Sequence, residues 1–134
     1  MNRVERILVV DDEKGIIFGL RQYFAQQGYP VDCATTAEEA LEHLSANQYG
    51  AAIVDVELRG TGTYADGLNL AAFIRRHAPA TVVIILSAHE SPETHQRARE
   101  VGVHSFLSKP ARLSLLADVA VRLMRAAAVA AVLH

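Results

Sequence analysis

"ILVVDDEKG", residues 7–15, runs four apolar residues straight into three carboxylates. The apolar part reads as a buried strand, and the acids stand at its carboxyl end. Working outward, "RILVV" at 6–10 is followed by "PVDCA" at 30–34, "AAIVD" at 51–55, "VVIILS" at 82–87 and "VHSFL" at 103–107, five runs rich in β-branched or apolar residues. Three of the five, at 6–10, 51–55 and 82–87, are apolar but for one end residue, as strands covered on both faces are.

Between these runs the spacing is helical. Ile17, Leu20 and Phe24 form one stripe, Ala37, Ala40, Leu41 and Leu44 a second, Leu70 and Ile74 a third, and Leu113, Leu116, Ala120 and Leu123 another. The more polar segment from Ser91 to Val101 has Ser91 at the N-cap, Pro92 at the first helical position and Glu93 in the first turn, which predicts a helix there too. Gly28 and Gly102 fall where helices one and four should end in left-handed caps. Strands alternating with helices imply right-handed crossovers and a parallel sheet. The expectation is a doubly wound α/β domain with five strands and five helices.

The 134 residues suit one domain, and 51% apolar with 21% charged residues place the chain in the globular class. A formal net charge of -2 favours no polyanion, so no direct nucleic-acid partner is expected. The single cysteine, Cys33, cannot pair within the chain, and its apolar setting predicts a small buried residue, which suits a reducing cytoplasm. The four-residue apolar run before Asp11 is too short for a secretory signal. No segment has the roughly 18 to 20 apolar residues of a membrane helix. A soluble, cytoplasmic protein without a membrane partner is expected.

In an open α/β sheet, ligands bind beyond the carboxyl ends of the strands. Those ends carry Asp11, Asp12 and Glu13 after strand one, Asp55 and then Glu57 at strand three, Ser87 on strand four, and Lys109 with Pro110 after strand five. Carboxylates gathered this closely raise one another's pKa unless a cation joins them. Oxygen donors without a neighbouring histidine or thiolate favour a hard ion such as Mg2+. Each residue alone has a plainer reading: the acidic triplet as a cap of the next helix, Asp55 as a turn residue, Ser87 as a strand-end hydroxyl, Lys109 as a solvated lysine. Their occurrence in order, each at the end of a different strand, favours a shared site.

With these residues in place, the sequence resembles the receiver domains of two-component response regulators over nearly its whole length. "VVDDE" is similar to their acidic pair, "AAIVDVEL" to their phospho-accepting strand, "IILSAH" to their hydroxyl-bearing strand and "FLSKP" to their lysine-proline end. The resemblance implies a flavodoxin-like sheet of strand order 2-1-3-4-5, a receiver domain over 1–125 and an apolar extension of the last helix over 126–134. It implies that Asp55 is the phospho-acceptor, served by a sensor histidine kinase, a phosphotransfer protein or a small phosphodonor. Mg2+ or Mn2+ would be held by Asp11, Asp12, Asp55 and the backbone carbonyl of Glu57. Lys109, aimed inward by a cis Lys109–Pro110 bond, and Ser87 would contact phosphoryl oxygens. Ser87 and Phe106 would form the switch. Many relatives have tyrosine at the second position, so a switch through Phe106 would be read by burial; the other reading is a plain core ring. The implied product is a signalling module that catalyses at most its own phosphorylation and dephosphorylation, acting on a downstream protein or output domain that the sequence does not name.

The sequence also departs from the family pattern. Arg59 stands where receivers usually have proline, and the glycine that follows is matched by Gly67, so the loop over 57–66, "ELRGTGTYAD", is longer than usual. Either this loop is a specificity insert offering Arg59 and Tyr64, or it is a tolerated surface insertion made permissive by Gly60 and Gly62, at a loop-closure cost well under about 1 kcal/mol. Glu57 and His89 occupy the variable positions that tune phosphoryl lifetime in the family; the other reading is a pair of solvated rim residues. A continuous helix from Arg112 to His134 would be about 33 Å long and would end in apolar turns. That end either packs on a second copy, giving a homodimer, or on a partner segment, or it frays.

Two other function classes compete with phosphorylation-controlled signalling. An aspartyl-phosphate phosphatase normally carries its nucleophile in an Asp-x-Asp pattern after the first strand, which "VVDDEKG" lacks. A receiver-like interaction module that is never phosphorylated would not need Asp11, Asp12, Asp55, Ser87 and Lys109 together. A flavodoxin-type nucleotide site is disfavoured because the first strand-helix turn has one glycine, Gly15, and no phosphate-cradling loop.

Overall fold

The apolar runs become strands β1 (Ile7–Val10), β2 (Val31–Ala34), β3 (Ala51–Asp55), β4 (Val82–Ser87) and β5 (Ser105–Ser108). The periodic segments between them become helices α1 (Lys14–Gln26), α2 (Ala37–Ala46), α3 (Gly67–His77), α4 (Pro92–Val101) and α5 (Leu113–Leu133). The structure is a computed structural model that describes residues 5–58 and 66–133. All strand pairs are parallel, and the order β2-β1-β3-β4-β5 is the expected one. Burial follows from this order. Every residue of the three inner strands is buried, while β2 and β5 at the edges are mostly half-buried. Cys33 shares that fate: it is half-buried on edge strand β2, and burial raises its thiol pKa.

Alternate side chains leave opposite faces of a strand, so the sheet builds two cores. Leu8, Val10, Val54, Val83 and Ile85 pack with Leu70 and Ile74 of α3 and with the small residues of α2 and α4. Ile7, Val9, Ile53, Ile84 and Leu86 pack on the other face against Leu20 and Phe24 of α1 and Leu116 and Ala120 of α5. Each such branched side chain, fully buried, contributes roughly 1.5–3 kcal/mol of transfer free energy. The sheet's acidic end is therefore held on a rigid base.

Local signals place the boundaries. Ser91 caps α4 by accepting from Thr94 N at 3.1 Å, with Pro92 in the first turn. Gly28 and Gly102 adopt φ of 86° and 83°, the left-handed conformation expected of them. The strand expected at 103–107 instead starts at Ser105, because the α4 cap extends to Val103, whose N–H reaches Ala98 O at 3.3 Å. His104 then stands in for a ladder residue: its N–H donates to Val83 O at 2.8 Å and its Nδ1 accepts from Val83 N at 3.0 Å. The strand expected at 30–34 begins one residue late for a similar reason: Pro30 has no N–H to give, although its carbonyl accepts from Ile7 N at 2.9 Å.

α5 runs unbroken across residue 125, so helix geometry marks no boundary between domain and extension. Packing does. Met124 is the last buried residue among those described, Ala127 still touches the core, and Val129, Val132 and Leu133 are exposed by 59%, 85% and 77%. Among the described residues no helix is long and apolar enough to cross a membrane. The readings placed on Arg59, Gly60, Gly62 and Tyr64 lie outside the described residues.

Candidate functional site

Register brings the acids together. Val10 stands beside Val54 and Asp55 beside Leu86, so Asp11, Asp55 and Ser87 leave the sheet at adjacent points. Asp11 and Asp55 are then fixed in the same way. In each, Oδ1 accepts the backbone N–H two residues on, from Glu13 at 2.9 Å and from Glu57 at 3.0 Å. The second oxygen of each is left facing Lys109.

Lys109 Nζ lies 3.1 Å from Asp11 Oδ2, 3.1 Å from Glu13 Oε1 and 3.2 Å from Asp55 Oδ2. Its side chain is nearly buried, its backbone N–H donates to Ser87 O at 2.8 Å, and the peptide bond to Pro110 is cis, as expected. These contacts decide between the readings left open for the acidic triplet. Glu13 is the N-cap residue of α1 but makes no capping hydrogen bond with its side chain, and the first turn holds no acid. The acids serve the site instead of the helix.

Electrostatics at the site are unbalanced. Burial raises the pKa of Asp11 above its ordinary value, although the Glu13 N–H and Lys109 oppose it. Burial also raises that of Asp55, the charge of Asp11 adds to the rise, and Lys109 opposes it. Burial alone would depress Lys109, but the carboxylates of Asp11, Glu13 and Asp55 outweigh it and hold the ammonium above the usual lysine range. One ammonium thus serves several carboxylates.

Asp12 is exposed, yet its carboxylate joins those of Asp11 and Asp55 in a group whose oxygens lie within 4.8 Å of one another. Asp11 Oδ2 is buried and, among the described residues, makes no hydrogen bond of good geometry and meets the charge of Lys109 at 3.1 Å. An oxygen-only donor set with an unsatisfied buried acceptor fits a hard divalent cation. The cluster could hold a metal.

The remaining expected residues divide. Ser87 is fully buried, and its hydroxyl donates to Glu57 Oε2 at 3.0 Å and lies 3.1 Å from His89 O. Glu57 is half-buried, and its Oε1 accepts from the N–H groups of Ala88 and, at 3.2 Å, His89. Glu57 and His89 are therefore linked through the His89 backbone, while His89 itself is exposed. Phe106 is half-buried on β5 and its ring stacks on His95 of α4 with centroids 4.2 Å apart. Gly67 sits so close to β3 that a Cβ there would lie 1.9 Å from the Asp55 carbonyl oxygen, which explains the glycine after the long loop. Sequence reasoning missed two things: Glu13 as a partner of Lys109, although it stood in the opening triplet, and the Glu57 side chain as an acceptor of three donors. Neither contact has a spacing signal.

Comparisons with known proteins agree with this geometry. The family model described as "Response regulator receiver domain" matches residues 7–120. A putative NtrX-like response regulator of Rickettsia felis is 32% identical over 104 residues, 78% of this chain and 22% of that protein. The chain spans about a fifth of the length of the first curated relatives it matches. A CheY-like receiver domain protein of Methanospirillum hungatei JF-1 superposes with a TM-score of 0.85, covering 93% of this chain and 97% of that one, and at 23% identity it speaks for the fold alone. A response regulator of Burkholderia pseudomallei, solved with a phosphorylated aspartic acid, calcium ion and citrate, is 27% identical with a TM-score of 0.75 over 84% of this chain and 64% of that one. The chain belongs to the response regulator receiver domains of two-component signalling.

Proposed function

We propose that Asp55 is the phospho-acceptor of a conformational switch that this domain presents to a protein partner. The observation that carries the reading is Lys109 Nζ bridging the buried carboxylates of Asp11 and Asp55 beside the Asp11, Asp12 and Asp55 cluster. A carboxylate oxygen of Asp55 attacks phosphorus; the new O–P bond forms as the bond from phosphorus to the donor's leaving atom breaks, and the leaving group departs with that electron pair. Lys109, already charged and largely desolvated, favours the ionised form of Asp55 against the burial that opposes it, and offers its ammonium to a phosphoryl oxygen. Ser87 supplies a hydroxyl from the next strand.

Asp11, Asp12, Asp55 and the backbone carbonyl of Glu57 are the groups that would hold Mg2+ or Mn2+, which supplies charge neutralisation for the transferring phosphoryl group. Ser87 and Phe106 are the switch pair: Phe106 lies on β5, in register with Ile85 of β4, two residues before Ser87. Phosphorylation acts by stabilising one of two conformers more than the other. Glu57 and His89 set the lifetime of the phosphoryl group, and substitution of either would change it.

The receiver unit is taken as 1–125, with 126–134 an extension whose exposed Val129, Val132 and Leu133 favour a homodimer. A strictly monomeric protein in light scattering at high concentration would remove that part. The phosphoryl source is a sensor histidine kinase or a phosphotransfer protein, and the place of action is the cytoplasm, where a free Cys33 thiol persists.

The test is intact mass after incubation with acetyl phosphate, with and without Mg2+, for the wild type and Asp55→Asn, with phosphate release followed in the same tube. A single phosphoryl adduct that needs both Mg2+ and Asp55 is expected. Asp55-dependent release without an adduct would mean a hydrolase or a very short-lived switch. Neither adduct nor release would indicate an interaction module that works without phosphorylation.

A further inference from the structure

The Glu57 carboxylate has an arrangement of contacts that the reaction does not explain. It lies across the end of β4 and collects three donors: the Ser87 hydroxyl at Oε2, and the N–H groups of Ala88 and His89 at Oε1. Two consecutive backbone N–H groups on one carboxylate oxygen and a hydroxyl on the other form a cradle for an anion. Ser87 is fully buried, so when the carboxylate leaves, its hydroxyl has the His89 carbonyl at 3.1 Å or an incoming anion to turn to rather than water.

The position of that cradle matters. Asp55 stands beside Leu86 in the β3–β4 register, and neighbouring strands lie about 4.8 Å apart, so Ser87 at the end of β4 and Ala88 just past it follow directly on the residue paired with Asp55. The Asp55 carboxylate already has Glu57 N–H on one oxygen and Lys109 on the other. A phosphoryl group added there brings three more oxygens that need donors. Those aimed at an anion on the β4 side are the ones Glu57 holds.

We propose that Glu57 is an internal competitor of the phosphoryl group, a carboxylate that occupies the Ser87 and Ala88 donors in the resting state and must be displaced when Asp55 is modified. This rests on the reading of Asp55 as phospho-acceptor and deepens it. Displacement makes the switch two-sided: the same donors hold Glu57 in one state and the phosphoryl group in the other, which sets the population of the resting state by a contact within the chain. It also frees Glu57 at the start of the long loop that the sequence inserts before α3.

The test is binding of beryllofluoride with Mg2+, a tetrahedral stand-in for a phosphoryl group that does not hydrolyse, titrated into the wild type, Glu57→Ala, Ser87→Ala and the double variant, with the Ala88 amide followed by NMR. Glu57→Ala should bind about three- to tenfold more tightly than the wild type, Glu57→Gln should fall between, and the gain should vanish in the Ser87→Ala background. The resting Ala88 amide proton should move upfield in Glu57→Ala. Equal affinities in wild type and Glu57→Ala, or a gain that persists without Ser87 and so reports only the removal of a negative charge, would overturn the competition. No binding by any variant, wild type included, would instead overturn the phospho-acceptor reading beneath it.

Discussion

Two polar clusters of the described residues lie at opposite ends of the sheet, and they are built differently. Near the amino ends of the strands, Asp32 accepts from Arg6 Nη1 at 3.3 and 3.4 Å and from Tyr49 Oη at 2.7 Å, and Thr81 Oγ1 donates to Tyr49 O at 2.7 Å. Burial, followed by the hydrogen bond to Asp32 and its charge, raises the Tyr49 pKa, so the phenol stays a donor. There the Asp32 carboxylate has a cation and a hydroxyl. At the carboxyl ends, Lys109 answers Asp11, Glu13 and Asp55, Asp12 stands beside them, and Asp11 Oδ2 is left without a hydrogen bond. A satisfied network holds a fold together, whereas one with surplus charge is waiting for a ligand.

The largest expected effect comes from removing Lys109, the cation that bridges the carboxylates of the acidic end among the described residues. Lys109→Ala leaves Asp11 and Asp55 buried and uncompensated, and should cost about 3 kcal/mol in urea unfolding at neutral pH without metal, a loss that Mg2+ partly restores. At the opposite end, Tyr49→Phe removes a donor to a charged acceptor and should cost about 1.5 kcal/mol, with adduct formation from acetyl phosphate unchanged. Should Tyr49→Phe also impair phosphorylation, the two ends would not be separable.

Asp55→Asn should do the reverse of both, raising the melting temperature of metal-free protein by a few degrees while abolishing the adduct, because it removes one of two buried like charges. The pH dependence sharpens this. The native pKa values of Asp11 and Asp55 lie above the ordinary 3.8, so the native state keeps protons that the unfolded chain has released. Their contribution to stability is present below pH 3.8 and is lost as pH rises through the raised native values. The stability of Asp55→Asn minus that of the wild type, measured without metal, should therefore grow with pH across that window.

Much of this was legible in the sequence because the signals were strong and local. Apolar runs at β1, β3 and β4 read as strands covered on both faces, and Gly28, Gly102 and Ser91 marked helix ends by backbone and capping chemistry. Boundaries failed where a neighbour decided them: Val103 was drawn into the α4 cap, and Pro30 had no donor for the ladder. In the site, each residue was legible as a strand end, but not what it touches. That Asp11 and Asp55 each spend one oxygen on a turn and turn the other to Lys109 depends on the register of strands distant in sequence. Glu57 is the clearest case, since its three donors all lie some thirty residues away, on or just past β4.

The most direct test of the contrast is thermal unfolding across a Mg2+ titration for the wild type, Asp12→Asn and Tyr49→Phe. A ligand that binds the native state raises stability with its concentration. The melting temperature should rise with Mg2+ in the wild type and by the same increment in Tyr49→Phe, and the increment should be lost or sharply reduced in Asp12→Asn. A wild-type melting temperature that does not respond to Mg2+, or an increment that survives in Asp12→Asn, would contradict the claim that the acidic end is built around a cation.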